Sequence, residues 1–315
     1  MSDERTSGPA DDELREPPLP AGRDMDRHLF MGLHYRRYKG DLFVGRVSGS
    51  AVGQGDLGDC YFLSSLVAFA NTDPRAVRRA IRDNGDGTYT VTFQERKHGK
   101  VRPVRVRVDS KFPADLHGAQ KFGKGLRTGP HGQELWPALF EKAFAALRKG
   151  YVHINQGGDG GHALASLTGK PSKTLTPNRH SADALWRELV HAAKARDAMI
   201  TGTPATRELE HRTGRRDLAG LIEDHYYAVL GTVKRRGRRF VRLYTPLVDF
   251  TAAPVGTPSP RDNAQRKVEL ALEDYRRYFD ELVVNSASVI APAARRCAPS
   301  ARSAWPPWRR IRAWI

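Results

Sequence analysis

Cysteine is scarce in this 315-residue chain, which contains only Cys60 and Cys297. Two cysteines are too few for a disulfide scaffold or for a zinc site built from four cysteine ligands. The chain also lacks any run of about eighteen consecutive apolar residues, so we expect no membrane-spanning helix. Its first residues lack the basic-then-apolar order of a secretory signal, and we therefore expect a cytoplasmic protein.

Acidic residues are in deficit. The chain has 35 Asp and Glu against 52 Lys and Arg, which gives a net charge of +17. Such a charge attracts anionic partners, including nucleic acid and membrane surfaces. However, no zinc-finger, RNA-recognition or helix-turn-helix signature is present, so we predict no dedicated nucleic-acid site. We expect the basic segments 75–82 and 234–239 to be solvated surfaces that attract anionic partners only weakly.

The spacing of apolar residues predicts an α+β fold. Residues 60–70 are apolar on nearly every side, which is typical of a buried helix. Further helices are predicted at 74–82, 136–149, 181–195 and 267–279. Strands are predicted at 88–93, 104–108, 226–233, 239–244 and 282–284. Helices are concentrated in the first half and strands in the second, which argues against the strict alternation of a Rossmann-type sheet.

Cys60 is the first candidate for chemistry because it begins the buried helix. A thiol at a helix N-terminus is expected to have a lowered pKa, which favours the nucleophilic thiolate. Gly55 and Gly58 let the backbone approach a substrate, and the side chain of Gln54 can donate an N–H to an oxyanion. The alternative is a structural cysteine, since free cysteines are usually buried. That alternative explains the helix but not the glycines or the polar donor.

The run QGDLGDCYFLSSL (54–66) resembles the cysteine motif of the calpain family of papain-like cysteine peptidases, with Tyr61 where the family usually has Trp. Further segments resemble the family in the same order along the chain: GQELWPALFEKAFAALRKGY (132–151), GGHALASLTGK (160–170), LIEDHYYAVLG (221–231) and LALEDYRRYFDELVV (270–284). Several segments that resemble the family in the same order are much stronger evidence for the resemblance than one segment alone. We therefore interpret this chain as resembling the calpain family, in particular a calcium-independent, bacterial-type member of it.

The resemblance implies a papain-like two-lobed cysteine peptidase fold, with a helical Cys lobe and a β-rich His lobe. It implies a calpain-like catalytic domain at 28–285, with the Cys lobe at about 40–165 and the His lobe at about 166–285. Composition predicts that the flanking segments are disordered, namely an acidic, proline-containing leader (1–27) and a tail rich in arginine and tryptophan (286–315).

Position by position, the resemblance implies that Cys60 is the nucleophile and His225 the general base. It implies that Gln54 is the oxyanion-hole donor. On chemistry alone other histidines are rivals of His225, but none lies at the family's histidine position: His162, His180, His191 and His211.

The third catalytic position departs from the family pattern. The family places Asn before a Pro-Trp pair, whereas this chain has Thr245 and Leu247 at the matching positions of FVRLYTPL (240–247). A Thr hydroxyl can accept the imidazole N–H, but it is shorter and less directional than an Asn side chain. We expect weakened activity, and Asp249 is a further candidate for orienting the ring.

Calcium is used by familiar calpains, which bind it through acidic loops in each lobe. In this chain the corresponding stretches 48–52 and 151–158 carry no carboxylate, and 247–258 carries only Asp249. Calcium takes about six to eight oxygen ligands, usually including several carboxylates. We therefore expect no calcium dependence, and no cofactor or metal.

The expected function is that of a calcium-independent endopeptidase that cleaves a protein or peptide segment in the cleft between the lobes. Three alternatives stay open. Thr245 and Leu247 are compatible with a catalytically impaired pseudo-peptidase that acts as a protein-binding module. The basic charge is compatible with a nucleic-acid or membrane binder, and Cys–His chemistry is compatible with acyl transfer to an amine.

Overall fold

Helices and strands are mixed along the protein, as the sequence predicts, in a computed structural model that describes residues 13–20, 32–97, 99–205, 208, 210–211, 221–248 and 266–287. The helices are α1 (Cys60–Thr72), α2 (Pro74–Ala80), α3 (Trp136–Leu147), α4 (Tyr151–Ile154), α5 (Gly160–Thr168), α6 (Ala182–Ala195) and α7 (Leu272–Tyr278). The strands are β1 (His34–Arg37), β2 (Val52–Gly53), β3 (Ile81–Asp83), β4 (Thr88–Lys97), β5 (Lys100–Asp109), β6 (Lys111–Ala114), β7 (Lys124–Gly125), β8 (Thr128–Gly129), β9 (Gly132–Gln133), β10 (Ser172–Leu175), β11 (Ala198–Gly202), β12 (Tyr226–Arg235), β13 (Arg238–Tyr244), β14 (Lys267–Ala271) and β15 (Glu281–Asn285). Among these residues no helix has the length and apolar character needed to cross a membrane.

A six-stranded antiparallel sheet separates two hydrophobic cores. Its strand order is β10-β15-β11-β12-β13-β14. Because successive side chains of a strand point to opposite faces, Met199 and Ile200 of β11 enter different cores. The core that contains Ile200 also contains α1, α3 and α5. The core that contains Met199 includes the apolar sides of α6 and α7. The sheet therefore has helices packed against both faces.

Helix α1 lies against this sheet and is buried along its length. Every residue from Tyr61 to Ala70 is buried, which confirms the predicted buried helix. One side of α1 contacts β11 and β12. On another side, the ring of Phe62 stacks on that of Phe144 from α3, with ring centroids 3.9 Å apart. After α1, the Asp73 side chain accepts the Ala76 N–H at 2.8 Å and caps α2.

The first half of the chain also contains a sheet, with the strand order β3-β4-β5. Strands β4 and β5 form a long hairpin. Val106 and Val108 are buried and Arg105 is exposed, as the alternation in the sequence predicts. The expectation of a helical first half and a strand-rich second half is therefore too simple. The observed strands β4 and β5 are longer than predicted, because their hairpin extends beyond the apolar residues into segments with polar side chains.

Two predicted helices are shorter than expected because part of each segment forms a strand. The helix predicted at 74–82 ends at Ala80, since Ile81 pairs with Val91 of β4. The segment predicted as a helix at 267–279 begins with β14, which pairs antiparallel with β13, and only α7 is helical. In both cases pairing with a neighbouring strand outweighs local helix propensity.

Part of the predicted disordered leader is packed against the domain. Within residues 13–20, the N–H of Arg15 donates to the carbonyl oxygen of Arg107 at 2.8 Å, and Pro17 is buried. Strand β5 is at the edge of its sheet, so its main chain has free hydrogen-bonding groups that the leader can pair with. The expectation of disorder is wrong for these residues. The remainder of the leader up to residue 27, and the tail beyond residue 287, lie outside the described residues.

A buried ion pair connects α3 to the end of β5. Lys142 of α3 is fully buried, and its Nζ donates to Oδ1 of Asp109 at 2.7 Å and to the carbonyl oxygen of Lys111 at 2.8 Å. Burial by itself raises the pKa of Asp109. The hydrogen bond and charge of Lys142 outweigh this effect and hold that pKa below its usual value. The carboxylate is therefore charged in the core and depends on its cation.

Replacing Lys142 by Met is expected to lower the free energy of unfolding by about 3 kcal/mol, because it leaves a buried carboxylate without its closest cation. The loss should be at the lower end of the usual range, since Arg37 and Lys111 each lie 3.6 Å from Asp109. Urea denaturation at pH 7 measures the change. Lys39→Met, at an exposed position, is the matched control and should change stability by less than about 0.5 kcal/mol. Equal stability of the two variants would contradict the prediction.

Candidate active site

The loop 54–59 places Cys60 at the first position of α1. Its glycines fit against the protein's own backbone. A Cβ atom at Gly55 would lie 2.0 Å from a main-chain carbonyl oxygen, and one at Gly58 would lie 2.5 Å from the carbonyl oxygen of Asn155. The Gly58 N–H also donates to Oδ1 of Asn155 at 2.7 Å. These contacts hold the loop in place, so its glycines are needed for packing and not only for approach to a substrate.

The thiol of Cys60 is half-buried and uncharged at neutral pH. Burial raises its pKa to about 12, and a negative charge on Asp59 or on Asp224 would add to this increase. The main-chain N–H groups of Tyr226 and Tyr61 lower the pKa without offsetting the effect of burial. The lowered pKa that we expected from the helix N-terminus is therefore wrong for this arrangement.

His225 is buried directly before β12. Its Nε2 lies 2.9 Å from Oγ1 of Thr245. The main chain is fixed by Thr203, whose N–H donates to the His225 carbonyl oxygen at 3.0 Å and whose Oγ1 accepts the His225 N–H at 3.1 Å. The imidazole meets the ring of Tyr227 edge to face, with centroids 5.0 Å apart. Burial lowers the pKa of His225 to about 3, so the ring is neutral at pH 7.

Burial distinguishes His225 from the histidines that rival it on chemistry alone. His162, His191 and His211 are exposed, and His180 is half-buried. Only His225 of these five is buried, and only its ring is held by a hydroxyl at the position that the sequence singles out.

The structure brings Cys60 and His225 onto elements that pack against each other, α1 and β12. The hydroxyl of Ser64 on α1 donates to the carbonyl oxygen of Tyr226 at 2.7 Å. The Cys60 thiol also contacts the main-chain N–H of Tyr226, the residue that follows His225. Within the described residues, however, no hydrogen bond joins Sγ of Cys60 to the imidazole. Both groups are neutral in this structure, so they do not form an ion pair.

Gln54, the predicted oxyanion donor, is buried at the start of the same loop. Its Nε2 donates to the carbonyl oxygen of Leu57 at 2.8 Å. A side-chain amide nitrogen has a second N–H, which is not used by this bond. The main chain of Gln54 is hydrogen-bonded to the segment that follows β13. Its N–H donates to the carbonyl oxygen of Pro246 at 2.8 Å, and its carbonyl oxygen accepts the N–H of Val248 at 3.3 Å. Gln54 is therefore tied to the segment that carries Thr245.

Thr245 lies at the position where the sequence places the third catalytic member. It is buried, and its Oγ1 contacts Nε2 of His225 and accepts the N–H of Leu247 at 3.2 Å. Leu247 is half-buried and forms a parallel bridge with Gln54. Asp249, the other candidate for orienting the ring, lies outside the described residues.

Several residues that hold the site together are not indicated by any pattern in the sequence. Asn155 binds the loop before Cys60, Thr203 fixes the main chain of His225, and Ser64 links α1 to β12. Asn155 is 97 residues from Gly58 in sequence, so no local pattern could signal that contact.

Carboxylate clusters suited to a metal ion are absent from the described part of the chain, where no group of three or more His, Cys, Asp or Glu is arranged to hold one. In the stretch 48–52 the side-chain oxygens are the hydroxyls of Ser48 and Ser50, which bond each other at 3.0 Å. In the stretch 151–158 the Oδ1 atom of Asn155 accepts the N–H of Gly58. These donors do not fit calcium, which favours several carboxylates.

Replacing Thr245 by Val removes the hydroxyl while it keeps the shape of the side chain. The buried Nε2 of His225 then loses its partner, and the free energy of unfolding should fall by about 1–3 kcal/mol. Urea denaturation measures this loss, and the ¹⁵N chemical shift of Nε2 reports the hydrogen bond directly. Thr245→Ser keeps a hydroxyl and is the control, so its ¹⁵N shift should stay near that of the wild type. Matching shifts in the Val and Ser variants would contradict this role of Thr245.

Comparison with known proteins identifies one family. The family model described as calpain family cysteine protease matches residues 34–252. Similar proteins include calpain-type cysteine protease DEK1 of Zea mays, which is 28% identical over 214 residues that cover 65% of this chain and 9% of that protein. Calpain-12 of Homo sapiens is 28% identical over 236 residues, which cover 70% of this chain and 31% of that protein. Calpain-like protease palB/cpr-8 of Neurospora crassa is 25% identical over 294 residues, which cover 84% of this chain and 30% of that protein.

The chain spans less than a third of the length of each of these relatives. The matched range 34–252 nevertheless contains the helix of Cys60, the strand after His225 and the segment of Thr245. It covers more than half of the chain, in the order of motifs that the sequence shows. This chain therefore belongs to the calpain family of cysteine proteases.

Proposed function

We propose that the protein is a calcium-independent cysteine endopeptidase with a papain-like, two-lobed fold, in which Cys60 is the nucleophile and His225 the general base. The observation that carries this proposal is the 2.9 Å contact between Thr245 Oγ1 and His225 Nε2, beside the helix of Cys60. A hydroxyl on Nε2 fixes the orientation of the ring and leaves Nδ1 for the thiol. Membership of the calpain family supports peptide-bond hydrolysis as the reaction.

The reaction starts from a neutral thiol and a neutral imidazole, because burial raises one pKa and lowers the other. As Sγ of Cys60 attacks the peptide carbonyl carbon, the thiol proton moves to Nδ1 of His225. The imidazolium then gives this proton to the leaving amine, and a thioester to Cys60 results. Water, deprotonated by His225, hydrolyses the thioester and releases the acid. The neutral starting state makes the first step demanding, in agreement with the weakened activity expected from the sequence.

Two N–H groups are suited to stabilise the oxyanion. The second N–H of the Gln54 side chain is not engaged by Leu57. The main-chain N–H of Cys60 lies in the first turn of α1, where amides have no acceptor within the helix. Donors that are fixed before the reaction stabilise the charge that develops on the carbonyl oxygen.

The proposed substrate is a flexible protein segment that lies between the lobes. Cys60 is on a helix of the first core, whereas His225 precedes a strand of the large sheet, so a segment that reaches both must lie along their junction. Anionic partners should bind the basic surface only weakly. At the hairpin β12–β13, the guanidinium of Arg235 is paired with Glu269 at 2.7 Å and that of Arg239 with Asp183.

Calcium independence is proposed from the donor sets of two of the three stretches that correspond to calcium loops in familiar calpains, because Asp249 of the third stretch lies outside the described residues. Residues 48–52 offer hydroxyls that bond each other, and residues 151–158 offer an amide oxygen that already binds the loop before Cys60. Neither stretch carries a carboxylate. Activity in the presence of a calcium chelator should therefore equal activity in added calcium.

An electrophilic epoxide probe should label the wild-type protein at Cys60, and Cys60→Ala should neither react nor cleave an unfolded protein substrate. The probe reacts with the free thiolate, without transfer of the thiol proton to His225, so its rate depends on the ionisation of Cys60 alone. Because burial raises the pKa of the thiol to about 12, the thiolate fraction should increase about tenfold per pH unit between about pH 6 and 9. The labelling rate, followed by mass spectrometry, should rise in the same proportion.

Cys297→Ala is the matched control for labelling, since these are the only two cysteines in the chain, and it should react as the wild type does. A rate that does not change with pH would point to a thiolate–imidazolium pair. Absence of label at Cys60 would remove the enzyme proposal.

The double variant Thr245→Asn with Leu247→Trp restores the residues that the family uses at these positions. A longer acceptor on His225 and an indole cover should increase kcat/KM for an unfolded protein substrate by at least about tenfold. Leu247→Trp alone separates the contribution of the cover. A protein that binds the substrate with unchanged affinity and gains no hydrolysis would instead be a binding module.

A further inference from the structure

Two buried carboxyl groups meet directly before Cys60. Asp59 occupies the N-cap position of α1, but its side chain accepts no helix N–H. Its carboxyl group lies instead within hydrogen-bonding reach of that of Glu141 on α3. Asp59 is 0% exposed and Glu141 is 2% exposed. The carboxyl pair, Asp59 and Glu141, therefore joins the N-terminal end of α1 to α3 away from water.

The hydrogen bonds of the carboxyl pair require a proton between its members. Oε1 of Glu141 accepts the N–H of Gly123 at 2.8 Å, whereas neither oxygen of Asp59 has a donor among the described residues. Two adjacent carboxylates in such a site cannot both be ionised. Burial and the charge of Glu141 raise the pKa of Asp59 well above its usual range, and burial also raises that of Glu141. The arrangement that satisfies these groups is a protonated Asp59 that donates to an ionised Glu141.

The surroundings also favour a negative charge on Glu141 over one on Asp59. Lys124 of β7 faces Glu141 and lowers its pKa, and the N–H of Gly123 is bonded to the same carboxylate. The other titratable groups that face the carboxyl pair are all kept neutral by burial, namely Tyr35, Cys60, Tyr61 and Tyr151. A charge on Asp59 would have no cation beside it and would lie next to the thiol.

We propose that Asp59 and Glu141 share one proton and act as a positioning pair for Cys60, which keeps the residue before the nucleophile uncharged and fixed. The negative charge of an ionised Asp59 acts to raise the pKa of the Cys60 thiol, so its protonation favours thiolate formation. The hydrogen bond to α3 also holds the first turn of α1. This inference rests on the proposed function, in which Cys60 is the nucleophile.

Two isosteric amide variants separate the charge from the hydrogen bond. In Asp59→Asn, the new N–H donates to an ionised Glu141, and the charge stays on α3. In Glu141→Gln, the new N–H donates to Asp59, which then ionises beside Cys60. Each variant keeps one hydrogen bond and one negative charge, so a merely structural role predicts equal behaviour.

The epoxide probe should label Cys60 roughly tenfold more slowly in Glu141→Gln than in Asp59→Asn at each pH from about 6 to 9. This factor corresponds to a difference of about one unit in the pKa of the thiol. Labelling rates should be measured on both variants and on the wild type with the full chain. Equal rates in the two variants, or faster labelling of Glu141→Gln, would overturn the proposal.

The stability of the folded chain tests the shared proton independently of reactivity. The folded-state pKa of each carboxyl group is raised above its unfolded-state value of about 4, so stability is lost as the pH rises above this value. The urea midpoint of the wild type should therefore fall more steeply from pH 5 to 9 than that of Asp59→Asn, which has no proton to lose at this position. Parallel profiles would refute the shared proton. A steep wild-type profile without any labelling of Cys60 would refute the peptidase function, and with it the positioning role, but not the shared proton.

Discussion

Burial of α1 on every side is the constraint on which the remainder of the site depends. The helix packs on β11 and β12 and stacks Phe62 against Phe144 of α3, so Cys60 is held where these elements meet. The same burial removes water from the thiol and from the imidazole of His225, and both are neutral as a result. The packing that positions Cys60 and His225 therefore also opposes their ionisation. The packing positions both residues but leaves neither charged, so in the proposed reaction the proton moves from the thiol to the imidazole as Sγ attacks the substrate.

Polar groups in this core are satisfied by partners from distant parts of the chain. Asp109 is charged because Lys142 is beside it, Asp59 is neutral because Glu141 is beside it, and His225 is oriented by the hydroxyl of Thr245. The three contacts differ in charge but share one property. An unpaired buried polar group is costly, so each of these groups depends on its partner. The charge pattern of the site is thus a consequence of packing.

The sequence predicted those features that local patterns or motifs carry, including the buried helix, the strands after His225 and the place of Thr245. The sequence did not predict features that depend on contacts between residues far apart in the chain. Glu141 and Lys142 are adjacent charged residues of an amphipathic helix, and nothing local indicates that both are buried. Their partners Asp59 and Asp109 come from other elements. The helix dipole predicted an acidic thiol, but the degree of desolvation that reverses this effect is set by tertiary packing. For the same reason β14 was predicted as part of a helix, since its pairing with β13 is not visible in its own residues.

The connection between Gln54 and the segment of Thr245 links two roles that a residue-by-residue comparison treats as separate. The Gln54 N–H donates to Pro246, its carbonyl oxygen accepts from Val248, and Oγ1 of Thr245 accepts from Leu247 between them. A threonine at this position thus bonds both the imidazole and the main chain of its own segment. Because main-chain hydrogen bonds join Gln54 to this segment, a shift of the segment would also shift Gln54. Thr245, which bonds the imidazole, and Gln54, the proposed oxyanion donor, are therefore held together by one set of hydrogen bonds.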